Sequence, residues 1–305
     1  MNTVMSKLTF KNMWDKLETK HSLPKRANKL KIMQYHDFER LVNEENTDFV
    51  EEITTSLMSG DLYILKGAYS SDFMEKLKIK TFDYFKNKPS EFHKMLEGCP
   101  DFHRKIDIET GKKYALRLCK HSFYFYPWNK DPLDIFDTIY KRWRNVKKLM
   151  GLNPTDFEKN TPKDGVIDRI QIVQYPSKIG YLEPHTDPHK HQRLFHSAYM
   201  SKKGKDFSGL GFYAIDKKDK ILEIEDHIDV GDIGIGYATV YHGVAPVNLN
   251  KEPDWHDVND GRWFLSLYSN ETDIHKKRHT SSGVSEKLNF SKNVKSQVYP
   301  LEVLS

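Results

Sequence analysis

The alternation of apolar and polar positions changes character about half-way along the chain. Up to about residue 150, helical spacing mixes with strand-like runs. From about 166 to 270, short apolar runs recur with turn residues between them. Two helices stand out. In the first, Phe73, Leu77, Phe82 and Phe85 fall near one face, Asp72 with Glu75 reads as a capping signature, and Pro89 stops the helix. The second spans Pro132 to Met150, with Asp131 as N-cap and Gly151 just past the end. Its stripe of Leu133, Phe136, Tyr140, Trp143, Val146 and Met150 is a core face packing on a sheet.

Strands are predicted at Leu62 to Leu65 and Phe123 to Tyr126, then at Asp168 to Tyr175, Phe195 to Met200, Leu210 to Ile215, Asp232 to Val240 and Arg262 to Tyr268. Many short strands without long helices between them predict a sandwich or barrel, so the fold class is mainly β with flanking helices (α+β). Residues 1–165 are expected to buttress the core and supply substrate contacts. Residues 166–270 form the core itself, and residues 271–305 read as a polar tail, all within one compact domain.

Composition narrows the class. Of 305 residues, 38% are hydrophobic and 30% charged, which fits a soluble globular protein. No apolar run is long enough for a membrane span, and the N-terminus lacks the apolar centre of a signal peptide, so a cytoplasmic location is expected. The two cysteines, Cys99 and Cys119, exclude a disulfide scaffold and a cysteine-ligated zinc site. A net charge of +5 is too mild to announce nucleic-acid binding. The short basic clusters Lys202, Lys203, Lys205 and Lys276, Lys277, Arg278 read as solvated loop or tail, with a positive rim able to steer an anionic substrate.

The chemistry concentrates downstream. His185 and Asp187, one residue apart, can reach one metal where a strand ends, and His242 follows an apolar strand and precedes a glycine. Two histidines and a carboxylate bind one face of an octahedral iron(II) and leave three positions open. His189, His191 and His196 crowd after the first pair and read as polar loop and strand residues; His256 and His275 read as solvent-exposed.

Over about residues 166–270 the chain resembles the Fe(II)/2-oxoglutarate-dependent dioxygenase superfamily, through the His185-Thr-Asp187 motif, the distant His242 and Arg262 on the last core strand. The resemblance implies a double-stranded β-helix (jelly roll). It also implies iron held by His185, Asp187 and His242, and Arg262 holding the distal carboxylate of 2-oxoglutarate as a planar two-pronged donor. Tyr175, ten residues before His185, matches a Tyr-Pro of the prolyl-hydroxylase-like members, whose phenol reaches the same carboxylate. Arg169 and Gln171 share the Tyr175 face of a strand and are further candidates for cosubstrate or substrate contacts. The interval from His242 to Arg262 is about twice the family's usual one, through the polar insert Asn248 to Asp260, which reads as a long hairpin loop.

A carboxylate at Asp187 leaves no coordination position for a halide and favours hydroxylation, desaturation or oxidative cyclisation over halogenation. Tyr268, six residues after Arg262, stands where nucleic-acid demethylases of the superfamily carry a second arginine. The expected activity is therefore oxidation of a C–H bond in a small polar molecule, such as an amino acid derivative, using Fe(II), 2-oxoglutarate and O2, with ascorbate as an accessory reductant. Succinate and CO2 would be released. The segment Arg117 to Asn129, with Arg117, His121, Tyr124, Tyr126 and Trp128, is the candidate substrate wall, against the alternative of an aromatic core strand. Two other readings stand beside this one: a non-catalytic jelly-roll binding protein, and a cupin-type metalloenzyme that does not use 2-oxoglutarate.

Overall fold

The computed structural model describes residues 9–304. Its helices are α1 (Phe10–Lys20), α2 (Tyr35–Glu44), α3 (Thr47–Met58), α4 (Ser71–Phe85), α5 (Ile108–Gly111), α6 (Phe136–Leu149), α7 (Lys292–Val298) and α8 (Leu301–Leu304). Its strands are β1 (Leu30–Gln34), β2 (Leu62–Lys66), β3 (Phe102–Ile106), β4 (Leu118–Phe125), β5 (Val166–Tyr175), β6 (Tyr181–Thr186), β7 (Leu194–Tyr199), β8 (Phe212–Ile215), β9 (Ile221–Glu223), β10 (Ile233–Tyr237), β11 (His242–Val244), β12 (Arg262–Glu271) and β13 (Ser282–Gly283).

Strands β5 to β12 divide between two layers. One runs β10-β7-β12-β5 and the other β9-β8-β11-β6, all antiparallel. This is the double-stranded β-helix. Strand β4 belongs to both layers: His121 to Phe125 pair with β5, and Leu118 and Cys119 pair with β6. The sheet therefore folds over along β4, and β1 and β2 widen the first layer beyond β10.

The helices cover the outer face of that first layer. Trp143 on α6 meets His196 of β7 edge-on at 5.3 Å, and Phe82 on α4 meets Trp263 of β12 at 6.3 Å. Along β12, Trp263, Leu265 and Leu267 are buried with the helical residues, while Arg262, Phe264 and Tyr268 line the space between the layers. His196, without a polar partner on either ring nitrogen, is pushed down to about 3 by burial, so it is a neutral core residue.

Three expectations are corrected. The cap of α4 is Ser70, whose hydroxyl accepts from the Phe73 amide at 3.1 Å; Asp72 lies inside the first turn. Helix α6 begins at Phe136, because Asp134 adopts φ 57° and Pro132 to Ile135 form a turn that the Asp131 carboxylate ties together through three amides. The segment after Glu271, read as a tail from its polarity, packs back on the second layer. There β13 pairs with β6, and Val284, Leu288, Val298 and Tyr299 join Tyr181 and Tyr213 in a second core.

The long insert is anchored rather than loose. Asp260 is fully buried and accepts from the Ser177 amide (2.9 Å), the Ser177 hydroxyl (2.6 Å) and the Asp254 amide (3.1 Å), with the Lys251 ammonium at 2.9 Å. Gly261 follows at φ 72°, and a Cβ there would stand 1.9 Å from the Tyr175 carbonyl oxygen, so only glycine lets β12 start here.

Burial alone would raise the Asp260 carboxyl, but its bonds from Ser177 and Lys251 dominate and hold it below the usual range. Its contribution is therefore present above the unfolded carboxylate value of about 3.9 and lost as pH falls through the lower folded value. Asp260→Ala is expected to destabilise the fold by about 2–4 kcal/mol at pH 7. Urea denaturation would check this, and the gap between the two proteins should narrow below about pH 4.

Candidate metal centre and cavity

His185 near the end of β6 lies directly opposite His242 at the start of β11. Direct cross-strand partners point the same way, and the two imidazole centroids stand 4.3 Å apart between the layers. Just past β6 the chain turns, the Asp187 amide donates to the Ala238 carbonyl at 2.9 Å, and the carboxylate swings back toward both rings. One carboxylate oxygen lies 3.5 Å from His185 Nε2 and the other 3.5 Å from His242 Nε2. Ligand atoms of the three residues all fall within 4.8 Å of one another, the one such group among the described residues. Neighbouring ligands of one ion, each about 2.1 Å from it, stand roughly 3 Å apart, so small side-chain adjustments suffice.

The tautomers are set by the backbone. His185 Nδ1 is 2.9 Å from the Glu183 carbonyl, and His242 Nδ1 is 2.8 Å from the Val240 carbonyl. A carbonyl only accepts, so each Nδ1 carries the proton and each Nε2 presents its lone pair to the centre. Burial, reinforced by the neighbouring His242, lowers the His185 pKa and favours the neutral, ligating form. Burial would raise the Asp187 carboxyl, but the neighbouring His185 and His242 outweigh that and hold it well below the usual range. The Ser281 hydroxyl donates to Asp187 Oδ1 at 2.9 Å and fixes the carboxylate's rotation.

Across the gap, on the first layer, Arg262 is paired in register with Tyr175. Both face a narrow cavity shared with His185, Asp187, His242 and the apolar Leu182, Phe212, Val244 and Phe264. Arg262 is only 2% exposed. Its Nε donates to Glu225 Oε1 at 2.5 Å, and the same oxygen accepts from the Phe212 amide at 2.8 Å. Glu225 therefore already offsets the buried guanidinium without a bound anion. Arg262 Nη1 and the Tyr175 hydroxyl nevertheless remain buried without partners. Two orphaned donors in one apolar cavity facing a metal triad fit a carboxylate.

The remaining sequence candidates separate. Arg169, Gln171 and Tyr124 line an outer chamber that shares Leu182, His185, Asp187 and Tyr268 with the inner cavity but not Tyr175 or Arg262. Register explains this, since Gln171 pairs with Ser266 and Arg169 with Tyr268, further along the strands than Tyr175. Arg117 turns away and pairs with Glu183 at 2.8 Å. His121 is buried against His103, ring nitrogens 2.7 Å apart. Tyr126 and Trp128 stack on each other at 4.5 Å in a separate apolar cluster. These four do not line the cavity, because β4 places them on its other face or beyond its end. His189 meets His279, and His191 meets Glu271, so both brace the C-terminal segment.

Residues not anticipated are Glu225, Ser281, Lys120 and Asn270, while Arg278, read as part of a solvated basic cluster, lines the outer chamber. Lys120 was within reach of sequence reasoning, since it shares the alternation of Ser122 and Tyr124 on one strand face.

No family model and no curated protein matches the chain. Among solved structures, it is similar to a Pseudomonas putida prolyl-4-hydroxylase (9% identity, 76% of this chain and 97% of the other, TM-score 0.44). It is also similar to a Neurospora crassa protein in complex with alpha-KG and thymine (12%, 80% and 86%, 0.44). A third is a Trichoplax adhaerens prolyl hydroxylase in complex with a hypoxia inducible factor peptide fragment (12%, 77% and 90%, 0.43). At such identities the site's own geometry carries the chemistry. No helix among the described residues is long and apolar enough to cross a membrane.

The geometry predicts one divalent ion per chain, measured by anaerobic titration with iron(II) or cobalt(II). Asp187→Ala should abolish this binding while the circular dichroism spectrum stays unchanged. Ser281→Ala, which frees the carboxylate to rotate, should weaken it by about 10- to 100-fold.

Proposed function

We propose that the protein is an iron(II)- and 2-oxoglutarate-dependent oxygenase that oxidises a C–H bond of a small polar molecule. The observation that carries this is the meeting, in one cavity, of His185, Asp187 and His242 from one layer with the unpartnered Arg262 Nη1 and Tyr175 hydroxyl from the other. When bound, iron(II) would supply the O2 chemistry by which 2-oxoglutarate becomes succinate and CO2 and the substrate gains one oxygen atom.

The chain's own residues have distinct tasks. His185, Asp187 and His242 would hold the ion by one face and leave the other open. The Glu183 and Val240 carbonyls and Ser281 keep those ligands in position before any ion arrives, so little reorganisation is needed on binding. Arg262 and Tyr175 would take the distal carboxylate of 2-oxoglutarate, with Glu225 aiming the guanidinium. Phe212, Val244 and Phe264 keep water from that end of the cavity, which strengthens every polar contact within it.

The Arg262–Glu225 pair favours a second reading, a metalloenzyme on the same fold that does not use 2-oxoglutarate, because a neutralised guanidinium attracts a carboxylate less strongly. Succinate release separates the two. Under the proposed function, aerobic protein with iron(II) and a substrate panel converts 2-oxoglutarate to succinate, and anaerobic mixing yields a weak visible charge-transfer band. Arg262→Leu combined with Glu225→Gln, which leaves no buried carboxylate without its cation, should raise the KM for 2-oxoglutarate roughly 30- to several-thousand-fold, from a loss of about 2–5 kcal/mol. Metal binding should survive. An unchanged KM would remove Arg262 as the anchor, and absence of both succinate and the band in the parent protein would favour the second reading.

A further inference from the structure

The outer chamber beside Asp187 has a charge pattern that the metal and its cosubstrate do not explain. Three cationic side chains line it: Lys120 of β4, Arg169 of β5 and Arg278 of the C-terminal segment. Asp187 is the sole carboxylate on its wall among the described residues.

Arg169 is held between two rings, 5.1 Å from the Tyr124 centroid and 5.5 Å from that of Tyr268. Its Nη2 donates to Gln171 Oε1 at 3.0 Å, its Nε is buried without a partner, and no carboxylate pairs with it among the described residues. The rings and Gln171 fix the guanidinium's orientation without neutralising it. Lys120 is half-buried on the same strand face as Tyr124 and has no hydrogen-bond or ion-pair partner among the described residues. Burial and the nearby Arg169 push its amine down to about 8. Arg278 is engaged in part by Asp273 at 2.8 Å, but its Nε, like Asn270 Nδ2 beside it, is buried and unpartnered. Charge without counter-charge, held in place and partly desolvated, costs stability unless a ligand uses it.

We infer that this chamber binds an anionic group of the substrate, a carboxylate or a phosphate, with Lys120 and Arg169 as its main anchors and Arg278 closing over it. The inference rests on the proposed function for the identity of the molecule as substrate. It deepens that reading by fixing the pose: the anion sits at the Lys120–Arg169 end, and the carbon to be oxidised lies between it and Asp187. Cosubstrate and substrate anions thus have separate anchors in adjoining cavities and do not compete for one.

The test uses the full chain, anaerobic, with iron(II) and saturating 2-oxoglutarate so that the inner anchor is filled. Acetate, inorganic phosphate and the neutral control acetamide are titrated at constant ionic strength. Binding is read by thermal shift and by perturbation of the visible band. At least one anion should give a saturable response and acetamide none; the tighter of the two anions distinguishes a carboxylate from a phosphate substrate. Lys120→Gln and Arg169→Gln should each weaken that anion about tenfold or more, while Lys120→Arg retains it and 2-oxoglutarate affinity changes less than twofold. An equal response to acetamide, no response to either anion, or undiminished anion binding in both glutamine variants would overturn the inference. If the band never forms in the parent protein, the proposed function fails instead, and the anion titration is still read by thermal shift on the metal-free chain.

Discussion

Everything at the centre depends on one cross-strand pairing, His242 against His185. An antiparallel register sends both imidazoles to the same side of the sheet at a separation set by the backbone. A one-residue slip would turn one ring out of the cavity and part it from the other. The register is held from several sides: by β8 on the far edge of β11, by β13 on β6, and by the Asp187 amide bond to Ala238. The facing layer repeats the device with Arg262 against Tyr175. Two registers on two layers, tied through the shared strand β4, give a cavity whose polar groups are placed by main-chain geometry rather than by flexible loops.

Charge is placed with the same economy of motion. Into the inner cavity the first layer brings one guanidinium and two phenol-bearing residues along β5 and β12, and the second brings the carboxylate and imidazoles. Glu225 reaches the guanidinium from a single helical turn between β9 and β10, so the inner end of the cavity is nearly neutral before any ligand enters. The outer chamber is not balanced in this way. The asymmetry gives the two ends different selectivity: directional hydrogen bonding inside, net attraction for negative charge outside.

The strands of the core were legible because period-two alternation is strong where one face meets helices and the other a polar cavity. Arg262 to Tyr268 is the clearest case, with Trp263, Leu265 and Leu267 outward. The metal residues were legible because their spacing is local or ends an apolar run. Glu225 was not, since a partner reached across thirty-seven positions leaves no periodic trace. The candidate substrate wall was only partly legible. Arg117, His121, Tyr124, Tyr126 and Trp128 look alike in composition, yet strand alternation and the bend of β4 bring only Tyr124 to the cavity. The C-terminal segment misled because its apolar residues are few, and polarity hid the fact that Val284, Leu288, Phe290, Val298 and Tyr299 pack on the second layer. Helix boundaries moved by a few residues: Ser70 takes the capping role read for Asp72, and the turn tied by Asp131 moves the start of α6 to Phe136.

The bond from Ser281 to Asp187 also gives the centre an order in time. A chain emerging from the ribosome presents its earlier residues first, so both imidazoles can be in place before the hydroxyl that steadies the carboxylate has docked. An ion captured by the growing chain would meet a looser carboxylate than the one the finished chain offers. The segment that steadies the ligand set is also the one that brings Arg278 to the chamber, so readiness for metal and enclosure of the chamber mature together.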